Sequence, residues 1–286
     1  MSMSEVHARN SGEALFDTSA SAEYSRWLRN QSRRRVLILS LQISLVAVVL
    51  VAWEVSARML WVNPLLTSYP SAVARSMATM IQDGTLIRHT WVTLAETVIS
   101  FAASTALGVL LAVWLWLTPT ARRVLDPFLV VANAIPKIAL VPIFYIWLGA
   151  QLSIYGIAIS IAVFIVLLMV YTGFEQTDAN KVKLVRTFGG TKAQILSKVV
   201  LPANLPTIIG AMKANIGLSL VGVIVGEFQS AKAGLGYLIV YGSQIFQMDM
   251  VMSAVVILGV ISLLLFVAIS TVEKRLAATR SKGTRA

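Results

Sequence analysis

Gly189-Gly190-Thr191-Lys192 is the stretch whose residue types come nearest to a phosphate cradle. Its spacing denies it that chemistry. A phosphate loop needs G-x-x-x-x-G-K-[ST], so that successive backbone amides wrap the anion, and a strand leading into it. The sequence therefore holds no recognisable ATP site. Of two histidines, His7 falls in an N-terminal tail and His89 in what reads as an outer loop, which argues against a His-based acid–base or metal site. There is no H-E-x-x-H, no G-x-S-x-G and no paired-carboxylate pattern within the apolar stretches. With no cysteine, thiolate chemistry, Cys-ligated metal and disulfides are excluded as well. The chain does not read as an enzyme, and no cofactor of its own is expected.

What remains is charge placed where charge is costly. Lys137 and Lys213 lie inside apolar stretches, where a lysine near a membrane midplane costs about 3 kcal/mol. Such residues face a bundle interior or a water-filled path. Two readings stay open: a cationic surface for an anionic solute, or a structural ion pair, with Asp126 or Glu96 as the partner. Pro136 and Pro142 flank Lys137 and free backbone carbonyls that either line a path or shape packing.

The elements that position these residues follow from composition. The 286 residues are 57% hydrophobic and 13% charged, with a mean hydropathy of +0.77. Several apolar runs are long enough to cross a hydrocarbon core of about 30 Å. The expectation is an all-α polytopic membrane protein with six spans, near 36–57, 91–117, 127–149, 152–174, 204–227 and 252–272, the first an uncleaved span rather than a signal peptide. Between the first two, Val73, Met77, Met80 and Ile81 mark one face of an amphipathic helix expected to lie on the membrane. The net charge of +11 does not point to nucleic acid, because the bases collect at the ends of apolar runs. Seventeen lysines and arginines (within 26–35, 122–123, 181–198 and 274–285) flank one side, against Arg58, Arg75, Arg88 and Lys232 on the other. The positive-inside rule then places both termini in the cytoplasm, in a multi-pass inner-membrane protein with tails at 1–35 and 274–286 and a membrane domain at 36–273. Gly210, Gly217, Gly222, Gly226, Gly234 and Gly236 suggest a close-packing surface near a dimer axis.

Residues 175–202, EQTDANKVKLVRTFGGTKAQILSKVVLP, form a polar, basic island between the fourth and fifth spans. Asp178 caps a helix start, and Val182, Val185 and Phe188 recur at near-helical spacing until Gly189-Gly190 breaks the run. Thr191 and Gln194 form a T-x-x-Q capping box for a second helix with Ile195, Leu196, Val199 and Val200 on one face, which Pro202 is expected to end. Phe188, Ile195 and Leu196 face either a partner or the knob's own underside.

This knob resembles the cytoplasmic coupling loop of permease subunits in ATP-binding-cassette (ABC) importers, where E-A-A-x-x-x-G followed by L-P docks on the ATPase subunit. The glycine falls on Gly189 and the closing pair on Leu201-Pro202, while E-A-A falls on Lys183, Leu184 and Val185, so a base replaces the acid. The resemblance continues through GLSLVGVIVGEF (217–228) and AGLGYLI (233–239), and is nearest to permeases of the nitrate, sulfonate and taurine type. It implies a type I, MetI-like fold and a coupling loop built from Lys183, Leu184, Val185, Phe188, Gly189, Gly190, Ile195, Leu196, Leu201 and Pro202. It also implies ATP on separate ATPase subunits, an extracytoplasmic solute-binding protein, and a second permease, either another copy (a homodimer) or a paralogue. By the same resemblance Ser219, Glu227 and Tyr237 join Lys137 and Lys213 as solute-path candidates. The solute implied is a small anion such as a sulfonate, taurine or nitrate, or a vitamin-precursor pyrimidine. The rival reading is a self-sufficient secondary transporter or channel, which predicts internal repeats and coupling acids that the sequence does not show.

The charge asymmetry predicts that cytoplasmic reporters fused after Arg123, within 181–198 and after Arg275 are active, and that periplasmic reporters are active near Asp83 and Lys232. A periplasmic signal from 181–198 contradicts the topology.

Overall fold

The structure, a computed structural model, describes the backbone of residues 3–283 and the side chains of residues 36–274, with those of Tyr24, Trp27, Gln31, Arg33 and Arg34 before them. The side chains of His7, Arg26, Arg29, Arg35, Arg275, Arg280 and Lys282, and the whole of Arg285, lie outside the described residues. Residues 1–64 and 65–286 form two units. The first is a single helix, α1 (Met3–Arg58), where a tail followed by a span is expected. Its apolar part, Val36–Arg58, has 23 residues, about 34 Å at 1.5 Å per residue, enough for one crossing. Arg58 closes it on Glu54, one turn back, at 2.6 Å.

After the short α2 (Pro64–Thr67), the second unit is helical throughout its described residues: α3 (Pro70–Gln82), α4 (Thr85–Leu117), α5 (Pro119–Ala134), a 3-10 turn (Lys137–Leu140), α6 (Val141–Glu175), α7 (Ala179–Thr187), α8 (Lys192–Ile195), a π turn (Leu196–Val200), α9 (Leu201–Ala203), α10 (Leu205–Ser230), α11 (Leu235–Gln244) and α12 (Met248–Gly283). Proline at the first helical positions of α3, α5, α6 and α10 starts those helices, since its missing N–H has no partner there in any case. The expected apolar face of α3 packs largely within the chain: Val73 and Met80 are buried, Met77 packs beside them and the helix lies on α12 and α4, while Ile81 stays exposed. Ser68, donating to Asp249 at 2.6 Å, ties the start of α3 to α12.

Five helices among the described residues are long and apolar enough to cross a membrane, against six spans expected. The difference lies at the expected third span, 127–149. It is present as α5, the 3-10 turn and the first arm of α6, because Pro136 and Pro142 deny the chain the donors a straight helix needs. Lys137–Glu175 counts as one stretch of 39 residues, about 58 Å if straight, nearly twice a hydrocarbon core. Gly149, at φ 76° and ψ 176°, breaks it into two arms.

Helices α4, α6 and α10 pack together as the centre of this unit, and α11 and α12 close one side. Lipid tails are as apolar as leucine, so membrane helices gain little by hiding apolar faces and pack through small residues instead. A methyl group at Gly222 would sit 2.6 Å from the Ala158 Cα, one at Gly226 2.8 Å from the Ile154 Cα, and one at Gly108 2.7 Å from the Val166 Cβ. Gly222 and Gly226 thus serve the α10–α6 contact within the chain and not a dimer axis. Gly210 and Gly217, by contrast, face open space.

Gly222→Ala is therefore expected to lose about 1–3 kcal/mol through overpacking, read as a lower thermal unfolding midpoint in detergent. Gly217→Ala, with nothing within 4 Å of the added carbon, should keep it. Equal midpoints contradict the packing.

Candidate functional site

The basic island folds into a knob at one end of the α4–α6–α10 bundle. Asp178 accepts from the Asn180 N–H (2.9 Å) and opens α7. Gly189, at φ 78°, closes it: its N–H and that of Gly190 donate to Arg186 and Val185 carbonyls, each at 3.0 Å. Gly190 is needed for space, since a Cβ there would meet Val185 Cγ1 at 2.6 Å. The capping box forms in both directions, Thr191 N–H to Gln194 Oε1 at 2.8 Å and Gln194 N–H to Thr191 Oγ1 at 3.3 Å. Pro202 does not end the second helix. The wide turn Leu196–Val200 absorbs the missing proline donor, and the chain stays helical through Ala203.

The question of which side the knob's apolar residues face has a divided answer. Ile195 is 1% exposed and Leu196 8%; with Val200 they join Phe174, Val170 and Leu167 of α6, Leu115 of α4 and Ala211 of α10 in one cluster. Val185 packs beside it, as does Leu201. Phe188 is 83% exposed and Leu184 58%; one turn apart at the C-terminal end of α7, which Phe188 caps, they form an apolar tip, with Lys183 exposed next to them. The root is braced by a two-pronged pair of Arg122 with Glu175, in which Nη2 lies 2.8 Å from Oε2. Asn204, which nothing in its sequence surroundings singles out, donates to both Thr177 Oγ1 (2.8 Å) and the Val200 carbonyl (2.9 Å), tying the knob's two ends.

At the opposite end of the bundle lies a buried polar latch. Glu227, 1% exposed, accepts from Thr93 Oγ1 at 2.7 Å and from the Gly236 N–H at 2.5 Å. Its carboxylate thus sits at the N-terminus of α11, where orphan amides favour negative charge. A Cβ on Gly234 or Gly236 would strike that carboxylate, so the G-L-G of the AGLGYLI segment and the acid of GEF are halves of one device. Thr93 Oγ1 also accepts from the Leu235 N–H at 2.7 Å. His89 does not lie in a loop. It is buried on α4, with Nδ1 accepting from the Gly234 N–H (2.9 Å) and its ring stacked on Tyr237 at 5.7 Å. Glu96 lies against Glu227, and its Oε2 and the Ser100 Oγ are buried with no hydrogen-bond partner among the described residues.

The five path candidates do not converge on one site. Glu227 and Tyr237 meet in the latch. Ser219 is buried at mid-bundle beside Asn215, whose amide donates to Thr105 Oγ1 (2.7 Å) and Ser104 Oγ (2.9 Å). Lys213 pairs with Glu273 of α12, not with Asp126 or Glu96, and lies 5.9 Å from the Phe266 ring. Lys137 donates to the Asn133 carbonyl and sits 4.9 Å over the Phe164 ring. The missed residues share one signal. His89, Thr93, Thr97, Ser100, Ser104, Gly108 and Ala112 recur every three or four residues as the buried face of α4, a helical stripe visible only when polar and small residues are counted instead of apolar ones.

Residues 104–281 match the family model described as binding-protein-dependent transport system inner membrane component. The formylaminopyrimidine transport permease protein ThiX of Halalkalibacterium halodurans is 31% identical over 234 residues, covering 82% of this chain and 93% of that protein. The taurine transport system permease protein TauC of Escherichia coli is 25% identical, over 83% of this chain and 88% of its own length. A solved structure titled as an inward-facing conformation of the MetNI methionine ABC transporter superposes with a TM-score of 0.61 at 20% identity, over 68% of this chain and 97% of that one, a likeness of fold.

Glu227→Ala leaves the Thr93 hydroxyl and Gly236 amide buried without their acceptor, at a cost of about 1–3 kcal/mol. Hydrogen–deuterium exchange should then quicken over 234–244 and stay unchanged over 179–200. Unchanged exchange over 234–244 contradicts the latch.

Proposed function

From the premise that the chain belongs to the family of inner-membrane components of binding-protein-dependent transport systems, we propose that its knob couples separate ATPase subunits to a solute path formed with a second permease. Members of this family are multi-pass permeases of ABC importers, not enzymes, and the all-helical type I permease fold belongs with that membership. The observation that carries the coupling reading is the division of the knob: Phe188 and Leu184 outward, Ile195 and Leu196 inward. An apolar tip outside the hydrocarbon gains from burial in a partner's cleft. An apolar root, with about 1.5–3 kcal/mol for each fully buried side chain, resists being peeled away when the tip is pushed. Displacement of the tip then moves α4, α6 and α10 together, and the 26 residues of α10 carry it about 39 Å to the latch end. In this reading both termini and the knob are cytoplasmic, and the latch faces an extracytoplasmic binding protein.

The solute proposed is a small organic or inorganic anion, a sulfonate such as taurine, or nitrate, with a vitamin-precursor pyrimidine as the competing class. The taurine and formylaminopyrimidine permeases among the relatives support both classes. Solute affinity is assigned to the binding protein, so the solute that this protein retains identifies the substrate.

Gly189→Trp tests the coupling. No atom lies within 4 Å of the position's Cβ direction, so the indole projects into open space, and an L side chain at φ 78° adds about 1–2 kcal/mol of strain. The spans should insert normally, while the ATPase subunits copurify poorly or hydrolyse ATP without solute uptake in proteoliposomes. Normal binding, solute-stimulated hydrolysis and uptake together remove the knob from the mechanism.

A further inference from the structure

Between the root of the knob and the ends of α4 and α6 lies a cavity of about 390 Å³ whose lining combines two chemistries. Leu115, Trp116 and Phe174, from the last turns of two membrane-crossing helices, make an apolar and aromatic wall. Arg122, Lys183 and Arg186 make a basic rim. Arg122 is already neutralised by Glu175 and stacked on Tyr171 at 5.0 Å, whereas Lys183 and Arg186 have no ion pair among the described residues. The cavity thus carries two unmatched positive charges directly above an apolar wall at the level where a span leaves the hydrocarbon. Leu115 and Phe174 are buried at the back of the wall and Trp116 is half-buried, so a soluble anion would match the rim and leave the Trp116 ring in water. A neutral lipid would match the wall and leave the charges unmet.

We propose that this cavity binds an anionic phospholipid, with the headgroup phosphate held by Lys183 and Arg186 and the upper acyl chain against Trp116 and Leu115. The site is separate from the apolar tip formed by Phe188 and Leu184. Occupied, it fixes the angle between α7 and the end of α4, because the ligand touches both elements.

Trp116 reports occupancy directly. In proteoliposomes of the full chain with its ATPase partners, tryptophan fluorescence is measured with phosphatidylglycerol or phosphatidylcholine brominated on the acyl chains, and Trp116→Phe isolates the contribution of this residue. Two basic groups near a lipid surface predict an about thirtyfold preference of the Trp116-dependent quenching for the anionic lipid. Lys183→Gln with Arg186→Gln should abolish the preference, and Lys183→Arg with Arg186→Lys should keep it. Equal quenching by both lipids overturns the proposal, as does a preference that survives loss of both charges. Loss of the preference on adding millimolar inorganic phosphate at constant ionic strength assigns the rim to a free anion and likewise overturns the lipid.

Discussion

The close approach of α6 and α10 is the contact on which the rest of this structure depends. Within a hydrocarbon solvent, burying leucine against leucine gains little that lipid does not already supply, so association rests on dispersion between backbones brought near and on polar groups with nowhere else to go. Gly222 and Gly226 bring α10 within reach of Ala158 and Ile154 backbone atoms, and Gly108 does the same for α4 against α6. Once those three helices are seated, the polar stripe of α4 finds its partners: Ser104 and Thr105 meet Asn215, and Thr93 meets Glu227. The polar bonds depend on the glycine contacts for their geometry, and in return they fix the register that the glycine contacts alone leave loose.

The two ends of the bundle are held by different physics. At the knob, Ile195, Leu196 and Val200 anchor by burial against the ends of α4 and α6. At the latch, the anchor is a carboxylate seated on the amides of α11 in a dry interior, where a paired polar group is strong and an unpaired one costly.

Features set by neighbours in the chain were legible in the sequence. The Asp178 cap, the Thr191–Gln194 capping box and the break at Gly189 each need only residues within one turn, and each forms. Features set by which helices adjoin were not. Lys213 finds Glu273, sixty residues on, because α12 runs beside α10, and no local pattern shows that. Gly222 and Gly226 announce a close contact without naming Ala158 and Ile154 as its object. His89 was misplaced because helix α4 begins at Thr85, six residues before the apolar run that marks its span. The apolar period also misleads at α3, whose face fits a membrane surface as well as it fits α12.

The central claim is that the knob and the three-helix bundle move as one body. The chain contains no cysteine, so spin labels go on Leu184→Cys at the tip and Leu111→Cys on the exposed side of α4 without removing any native thiol. Pulsed electron paramagnetic resonance on the complex with its ATPase subunits, nucleotide-free and ATP-trapped, gives the distance between them. The account predicts one unchanged intrachain distance in both states, while the distance from the tip label to a label on the second permease of the proposed complex shifts. An intrachain distance that changes with nucleotide, at fixed separation of the bundles, would mean that the knob swings on its own and would contradict it.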